Sequence, residues 1–143
     1  MIDTTVTPTA ETRRLLRQLE FGSPQRARAA RLIGAEMVYR TEERFATQRA
    51  PDGSPWLPSL RAIEQSGQTL RDTGRLMASL TYTVVPKGVK WGTNVAYAAM
   101  MNFGGKKSQY SNLWGDITAR PFMGVNDDDE SEIRRIITGV LAG

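Results

Sequence analysis

The stretch 70–105, LRDTGRLMASLTYTVVPKGVKWGTNVAYAAMMNFGG, holds the densest run of structural signals in the chain, and the rest reads as packing around it. Asp72-Thr73-Gly74 is a helix-entry signal, because the side chain of Asp72 or Thr73 can accept a hydrogen bond from a free first-turn amide. The short helix it opens is expected to turn Leu76, Met77 and Leu80 inward. From Thr81 to Val85 the residues become β-branched and aromatic with a period of two, which reads as a strand. Pro86-Lys87-Gly88 is a turn, with proline presetting φ and glycine tolerating the tight closure. The return strand is expected over 89–93, with Val89, Trp91 and Thr93 on one face and Lys90 on the other. Asn94 is the expected cap of a second helix, whose apolar stripe is Tyr97, Met100, Met101 and Phe103. Gly104-Gly105 ends it, since a left-handed C-terminal cap favours glycine. The unit reads helix, hairpin, helix.

Upstream, residues 1–9 show no periodicity and are expected to be mobile, or to order only on contact with a neighbour. Residues 11–20 form a short amphipathic helix carrying Leu15, Leu16 and Leu19, stopped by Phe21-Gly22. Ser23-Pro24 starts another helix, with serine as cap and proline at the first helical position. No breaker but Gly34 follows until about Arg49, so one long helix is predicted, roughly 35–40 Å at 1.5 Å per residue. Its inward stripe is Ala30, Ile33, Met37, Thr41 and Phe45, spaced by three or four. The next segment, APDGSPWLPS over 50–59, holds three prolines and Asp52-Gly53, which forbid regular structure. Trp56 in its middle reads first as a peg fastening the loop to the core and second as an interface anchor. Residues 59–69 are polar and weakly helical.

Downstream, residues 106–116 (KKSQYSNLWGD) form a long loop. Its Tyr110, Leu113 and Trp114, with Lys106 and Lys107, are candidate interface residues, because a loop seldom buries two aromatics without a partner. ITARPFMGV, 117–125, is predicted as a further strand, at an edge because Pro121 cannot donate to a ladder. The acidic run NDDDESE at 126–132 has two readings. Clustered carboxylates suit Mg²⁺ or Ca²⁺, and an enzyme would use Asp127, Asp128 and Asp129 to hold the ion. The favoured reading is a helix start: Asp127 and Glu130 have capping-box spacing, and acids at a helix N-terminus complement its dipole. No glycine turn or terminal glutamate completes an EF-hand pattern. Ile133, Ile136, Ile137, Val140 and Leu141 then make an apolar stripe, with Arg134 and Arg135 outside it.

At 143 residues the chain is sized for one core. The expected fold class is α+β: a small, mostly antiparallel sheet packed against a long N-terminal helix and a C-terminal helix. It divides into an arm and short helix over 1–22 and a single domain over 23–143. The absence of cysteine removes disulfides, thiol catalysis and thiolate metal sites. The absence of histidine removes imidazole acid–base chemistry, His-type triads and imidazole ligands. No apolar run approaches the ~20 residues of a bilayer span, and the N-terminus lacks the features of a signal peptide. The expectation is a non-enzymatic protein without catalytic residues, cofactor, metal or membrane, assembled in a cytoplasm. The net charge is +4. It is concentrated in Arg13, Arg14, Arg17, Arg26, Arg28 and Arg31, with Glu20 the one acid among them. This run reads as a solvated helical face or as a contact for phosphates or an acidic surface.

The order PDGSPW, LRDTGRL-MASL, WGTNVAYAAMMNFGG, ARPFMGV and an acid-capped last helix resembles the phage virion morphogenesis family, the tail-completion proteins of Mu-like and related contractile-tailed phages. The matching positions are Pro51, Asp52, Gly53 and Trp56; Leu70, Asp72, Thr73, Gly74 and Leu76; Gly92, Thr93, Tyr97, Ala98, Phe103 and Gly104; and Arg120, Pro121 and Phe122. The resemblance covers about residues 33–141, leaving the arm and first helix outside. It implies an α+β virion subunit that completes the tail and helps form the tail-to-head joint as a homo-oligomeric ring, sixfold by expectation. The implied partners are tail tube or sheath proteins and neck or connector proteins, and such a ring borders packaged DNA. The alternatives are a nucleic-acid-binding module built on the 13–31 arginines and an adjacent neck protein.

Overall fold

In the computed structural model, residues 9–20, 23–57, 75–85, 88–95, 98–104 and 118–143 are described. They form five helices and one hairpin: α1 (Ala10–Arg17), α2 (Pro24–Thr47), α3 (Arg75–Ala78), β1 (Thr81–Val85), β2 (Gly88–Gly92), α4 (Ala98–Phe103) and α5 (Asp127–Ala142). The strands pair as a two-stranded antiparallel sheet, and the architecture is the expected α+β. The residues gather into two compact units. Among the described residues, one takes those within 9–40, 81–91 and 125–143; the other takes those within 41–57, 75–80, 92–104 and 118–124.

The first unit is built by apolar stripes. Ser23 Oγ accepts from the Arg26 amide and caps α2, with Pro24 at its first helical position. The inward residues Ala29, Ile33 and Met37 meet Ile136, Ile137 and Val140 of α5 and Leu19 after α1. Val89 and Trp91 of β2 pack against this core, so the sheet lies on the long helix and the last helix as expected. Gly34 makes the approach possible. A Cβ built there meets the Tyr82 ring at 2.5 Å and a Val89 methyl at 2.8 Å, closer than real side-chain contacts come. A glycine that reads as a mere weak point in a helix is the seat of the hairpin.

The cap of α5 shifts from its expected place, and α1 starts one residue before and ends three residues before the predicted 11–20. Helix α1 begins at Ala10, with Thr9 as N-cap, its hydroxyl accepting from Thr12 N–H at 3.3 Å. Helix α5 carries a capping box one residue earlier than predicted. Asn126 Oδ1 accepts from Asp129 N–H at 2.7 Å, and Asp129 Oδ2 accepts from Asn126 N–H at 3.0 Å. The predicted Asp127–Glu130 pair has the same spacing, but Glu130 is drawn away by α1. Its Oε1 accepts from Thr9 N–H at 2.6 Å and from the Thr12 hydroxyl at 2.9 Å. The stripe Ile136, Ile137 and Val140 is buried as expected.

The second unit is held differently. Thr41 and Phe45, the remaining stripe residues of α2, are fully buried. The Phe45 ring lies edge-on to Trp56 at 5.4 Å and tilted against Phe122 at 5.2 Å. Gln48, at φ 58°, ends α2 in the left-handed conformation. The turn after it is closed by Asp52 Oδ1, which accepts from Ser54 N–H at 2.9 Å, and by Gly53 at φ 88°. Leu76 and Leu80 are buried. Gly104, at φ 72°, ends α4 in the manner predicted.

Three expectations fail here, each for a physical reason. No strand runs over 118–125, the described part of the predicted 117–125 strand. Pro121 has no amide to donate, and the neighbouring backbone groups are taken by side chains instead of a ladder. Phe103 is 59% exposed, although it was expected inside. At 100° per residue it lies well off the inward face of α4, which carries Ala98 and Asn102, both buried. The hydrogen bond near Asn94 belongs to Thr93, whose hydroxyl accepts from Val95 N–H at 3.1 Å. The predictions for residues 1–8, 21–22, 58–74, 86–87, 96–97 and 105–117 lie outside the described residues.

Candidate interaction surfaces

The arginines divide into two sets. Seven of those described are engaged. Arg44 donates to the carbonyls of Phe122 at 2.7 Å and Gly124 at 3.0 Å. Arg49 donates to Gly53 O at 2.8 Å, Arg120 to Leu57 O at 2.7 Å, and Arg26 to Leu19 O at 3.0 Å. Arg40 bridges Glu36 at 2.9 Å and Asp129 at 3.2 Å. Arg134 reaches Glu11 and Ser131, and Arg135 is paired with Glu132. The other set is Arg13, Arg14, Arg17, Arg28 and Arg31. All five are exposed, and among the described residues none has an acid or carbonyl partner. Five of the six arginines singled out from the sequence are thus free, and Arg26 has been drawn into the fold.

Placement on the helices explains the split. On α1, Thr12 is buried and Leu15 and Leu16 are half-buried, while Arg13, Arg14 and Arg17 fall within about 100° of arc on the opposite side. Arg14 and Arg17 lie in the last turn, where cations offset the free carbonyls. On α2, Arg28 and Arg31 project from the face opposite Ala29, Ala30 and Ile33. Leu32, 43% exposed, and Tyr39, 55% exposed, lie on that outer face two turns apart. The helix is therefore apolar on two sides.

The acidic run is spent on structure. Asp129, 1% exposed, serves the cap and Arg40. Glu130 is held below the ordinary carboxylate range, first by the Thr9 amide and then by the Thr12 hydroxyl and the Arg134 charge, against a burial effect in the other direction. Glu132 is held low by its hydrogen bond to Arg135. Asp127 and Asp128 are exposed. Among the described residues no group of three or more acids is placed to hold a metal ion, and no helix is long and apolar enough to cross a membrane.

One apolar cleft of about 230 Å³ opens beside α1, α2 and β2. Leu16, Leu19, Ala29, Ile33, Val89 and Trp91 line it, with Arg26 and Glu130 among its polar lining residues. The Trp91 indole N–H is buried and has no hydrogen-bond partner among the described residues. Trp56, named as a candidate interface residue, is 6% exposed, and its Nε1 donates to Pro121 O at 2.8 Å. That geometry is the peg rather than the exposed anchor. Lys106, Lys107, Tyr110, Leu113 and Trp114 lie outside the described residues. Sequence reasoning missed Asn102, whose Oδ1 accepts from the amides of Phe122 at 2.9 Å and Met123 at 3.0 Å. A polar residue four positions after Ala98, on the inward face of α4, was the available signal.

The model of the phage virion morphogenesis family matches residues 8–142. The match extends over α1, which the sequence resemblance had left outside. The chain is also 31% identical over 133 residues to the Mu-like prophage FluMu G protein 2 of Haemophilus influenzae, covering 93% of this chain and 91% of that one. No solved structure matches it. The chain belongs to the phage virion morphogenesis family, and its role is a structural one in the phage virion.

Proposed function

We propose that this subunit completes the phage tail, assembling as a ring at the head-proximal end and forming part of the joint with the neck. The observation that carries this reading is the family match over nearly the whole chain, together with the similarity to a Mu-like prophage protein. The surface chemistry supports it. Each strand of the hairpin has one ladder partner among the described residues, so each leaves an outer edge to which another chain can add. Val84 on β1 is 41% exposed, and Leu57 and Phe103 in the other unit are 64% and 59% exposed. A closed ring requires two different faces on each subunit, and edges and apolar side chains of this kind are what such faces use. The loop 106–116 is the further contact we assign to neighbouring subunits or neck proteins.

The test is assembly. Purified protein is mixed with tail and neck components and followed by light scattering and electron microscopy, and particles carrying a labelled subunit are imaged. Rings at the tail end nearest the head support the proposal. A chain that stays monomeric with those components present overturns it, and label in the connector instead of the tail end makes it a neck protein.

A further inference from the structure

We propose that the exposed arginines of α1 (Arg13, Arg14 and Arg17) and of α2 (Arg28 and Arg31) bind the phosphate backbone of a nucleic-acid duplex without regard to base sequence. Wherever the fold uses a guanidinium, it gives it a carbonyl or a carboxylate, at Arg26, Arg40, Arg44, Arg49, Arg120, Arg134 and Arg135. Arg13, Arg14, Arg17, Arg28 and Arg31 receive neither among the described residues, so their charge is available to a partner. The forked guanidinium suits phosphate oxygens, and Arg13 and Arg17 stand one turn apart, about 6 Å along the axis.

The composition of the face distinguishes nucleic acid from an acidic protein. The exposed residues of α1 are Ala10, Glu11, Arg13, Arg14 and Arg17, with nothing apolar larger than alanine; Arg28 and Arg31 share the outer face of α2 with the exposed Leu32 and Tyr39, so it is α1 whose composition discriminates. A protein interface places aromatic or aliphatic side chains at its centre, whereas backbone contacts to nucleic acid need charge and little else. Helix dipole compensation accounts for Arg14 and Arg17 but not for Arg13, Arg28 or Arg31, which lie outside the last turns. This proposal does not depend on the tail reading, and its failure leaves that reading intact.

The experiment is titration of a fluorescent 30-base-pair DNA duplex of random sequence with the full chain across a series of salt concentrations. Each phosphate neutralised contributes a slope of about −0.9 in log affinity against log salt. Five contacts give about −4.5, or roughly a 500-fold loss between 50 and 200 mM salt. The triple variant Arg13→Gln, Arg14→Gln, Arg17→Gln is expected to bind at least about tenfold more weakly at low salt, with a slope shallower by about 3. Circular dichroism checks that it folds; the double variant Arg28→Gln, Arg31→Gln, shallower by about 2, carries the test if it does not. Arg135→Gln removes the same unit of charge elsewhere and is expected to leave the slope within about one unit of wild type. No binding at 50 mM salt, a slope unchanged by either multiple variant, or polyglutamate competing as well as duplex at equal charge overturns the proposal. The last result assigns the face to an acidic protein.

Discussion

The two units solve the same problem with different means. In the unit of α1, α5 and the first part of α2, helices bring apolar stripes together, and Ile33, Met37, Ile136, Ile137 and Val140 form a core from residues that share a period. In the other unit, the irregular segment 118–124 is captured by side chains reaching its backbone. Asn102 takes two amides, Arg44 takes two carbonyls, Trp56 takes a third, and Arg120 ties the segment to Leu57. The first unit rests mainly on shared apolar volume, whereas the second adds single donors and acceptors to the packing of Phe45, Trp56 and Phe122.

The sharpest way to break this contrast is a pair of substitutions. Ile137→Ala is expected to destabilise by about 3–4 kcal/mol through lost burial and the cavity left behind. Asn102→Ala is expected to cost about 2–4 kcal/mol, because two buried amides lose their acceptor. Asn102→Leu, which restores bulk, should do no better than alanine, whereas Ile137→Val should recover most of the loss at its site. Urea unfolding monitored by circular dichroism measures all four, and a rescue by Asn102→Leu would remove the distinction between the units. Gly34→Ala comes next, at about 1–2 kcal/mol. Overpacking against Tyr82 and Val89 exceeds the gain in helix propensity. An unchanged or higher unfolding midpoint would mean the hairpin is not seated as described.

The smallest effect is a pH dependence. Glu130 has a folded pKa below its unfolded value, so its contribution is present above the ordinary carboxylate range and lost as pH falls through the depressed folded value. Wild type should therefore lose more of its urea midpoint between pH 7 and acid pH than Glu130→Gln does. Equal losses would show that the Thr9 and Thr12 contacts are not what lowers the pKa.

The same contrast explains what the sequence made legible. The stripe Ala30, Ile33, Met37, Thr41 and Phe45 was readable because periodicity is local, and all five are buried. Hairpin boundaries were readable within a residue. The strand predicted over 117–125 was not there, because its apolar residues carry a strand-like pattern while its backbone partners lie far away in sequence. Asn102 is 20 residues from Phe122, and Arg44 is 78. The capping box was misplaced by one residue because two pairs share its spacing, and the choice between them was made by Thr9, 121 positions from Glu130. Charge on 13–31 was visible from composition, but its division into free and engaged arginines depends on which carbonyl lies within reach of Arg26.

The bond from Thr9 to Glu130 also sets an order of events during synthesis. The acceptor for the N-cap of the first helix, Glu130, and the apolar stripe that packs with its leucines lie more than a hundred residues downstream. While the ribosome is still making the middle of the protein, α1 and the early turns of α2 emerge with their apolar sides unmatched. Closure of that unit has to wait until α5 is translated, so the apolar sides of α1 and early α2 stay unmatched in the nascent chain until then.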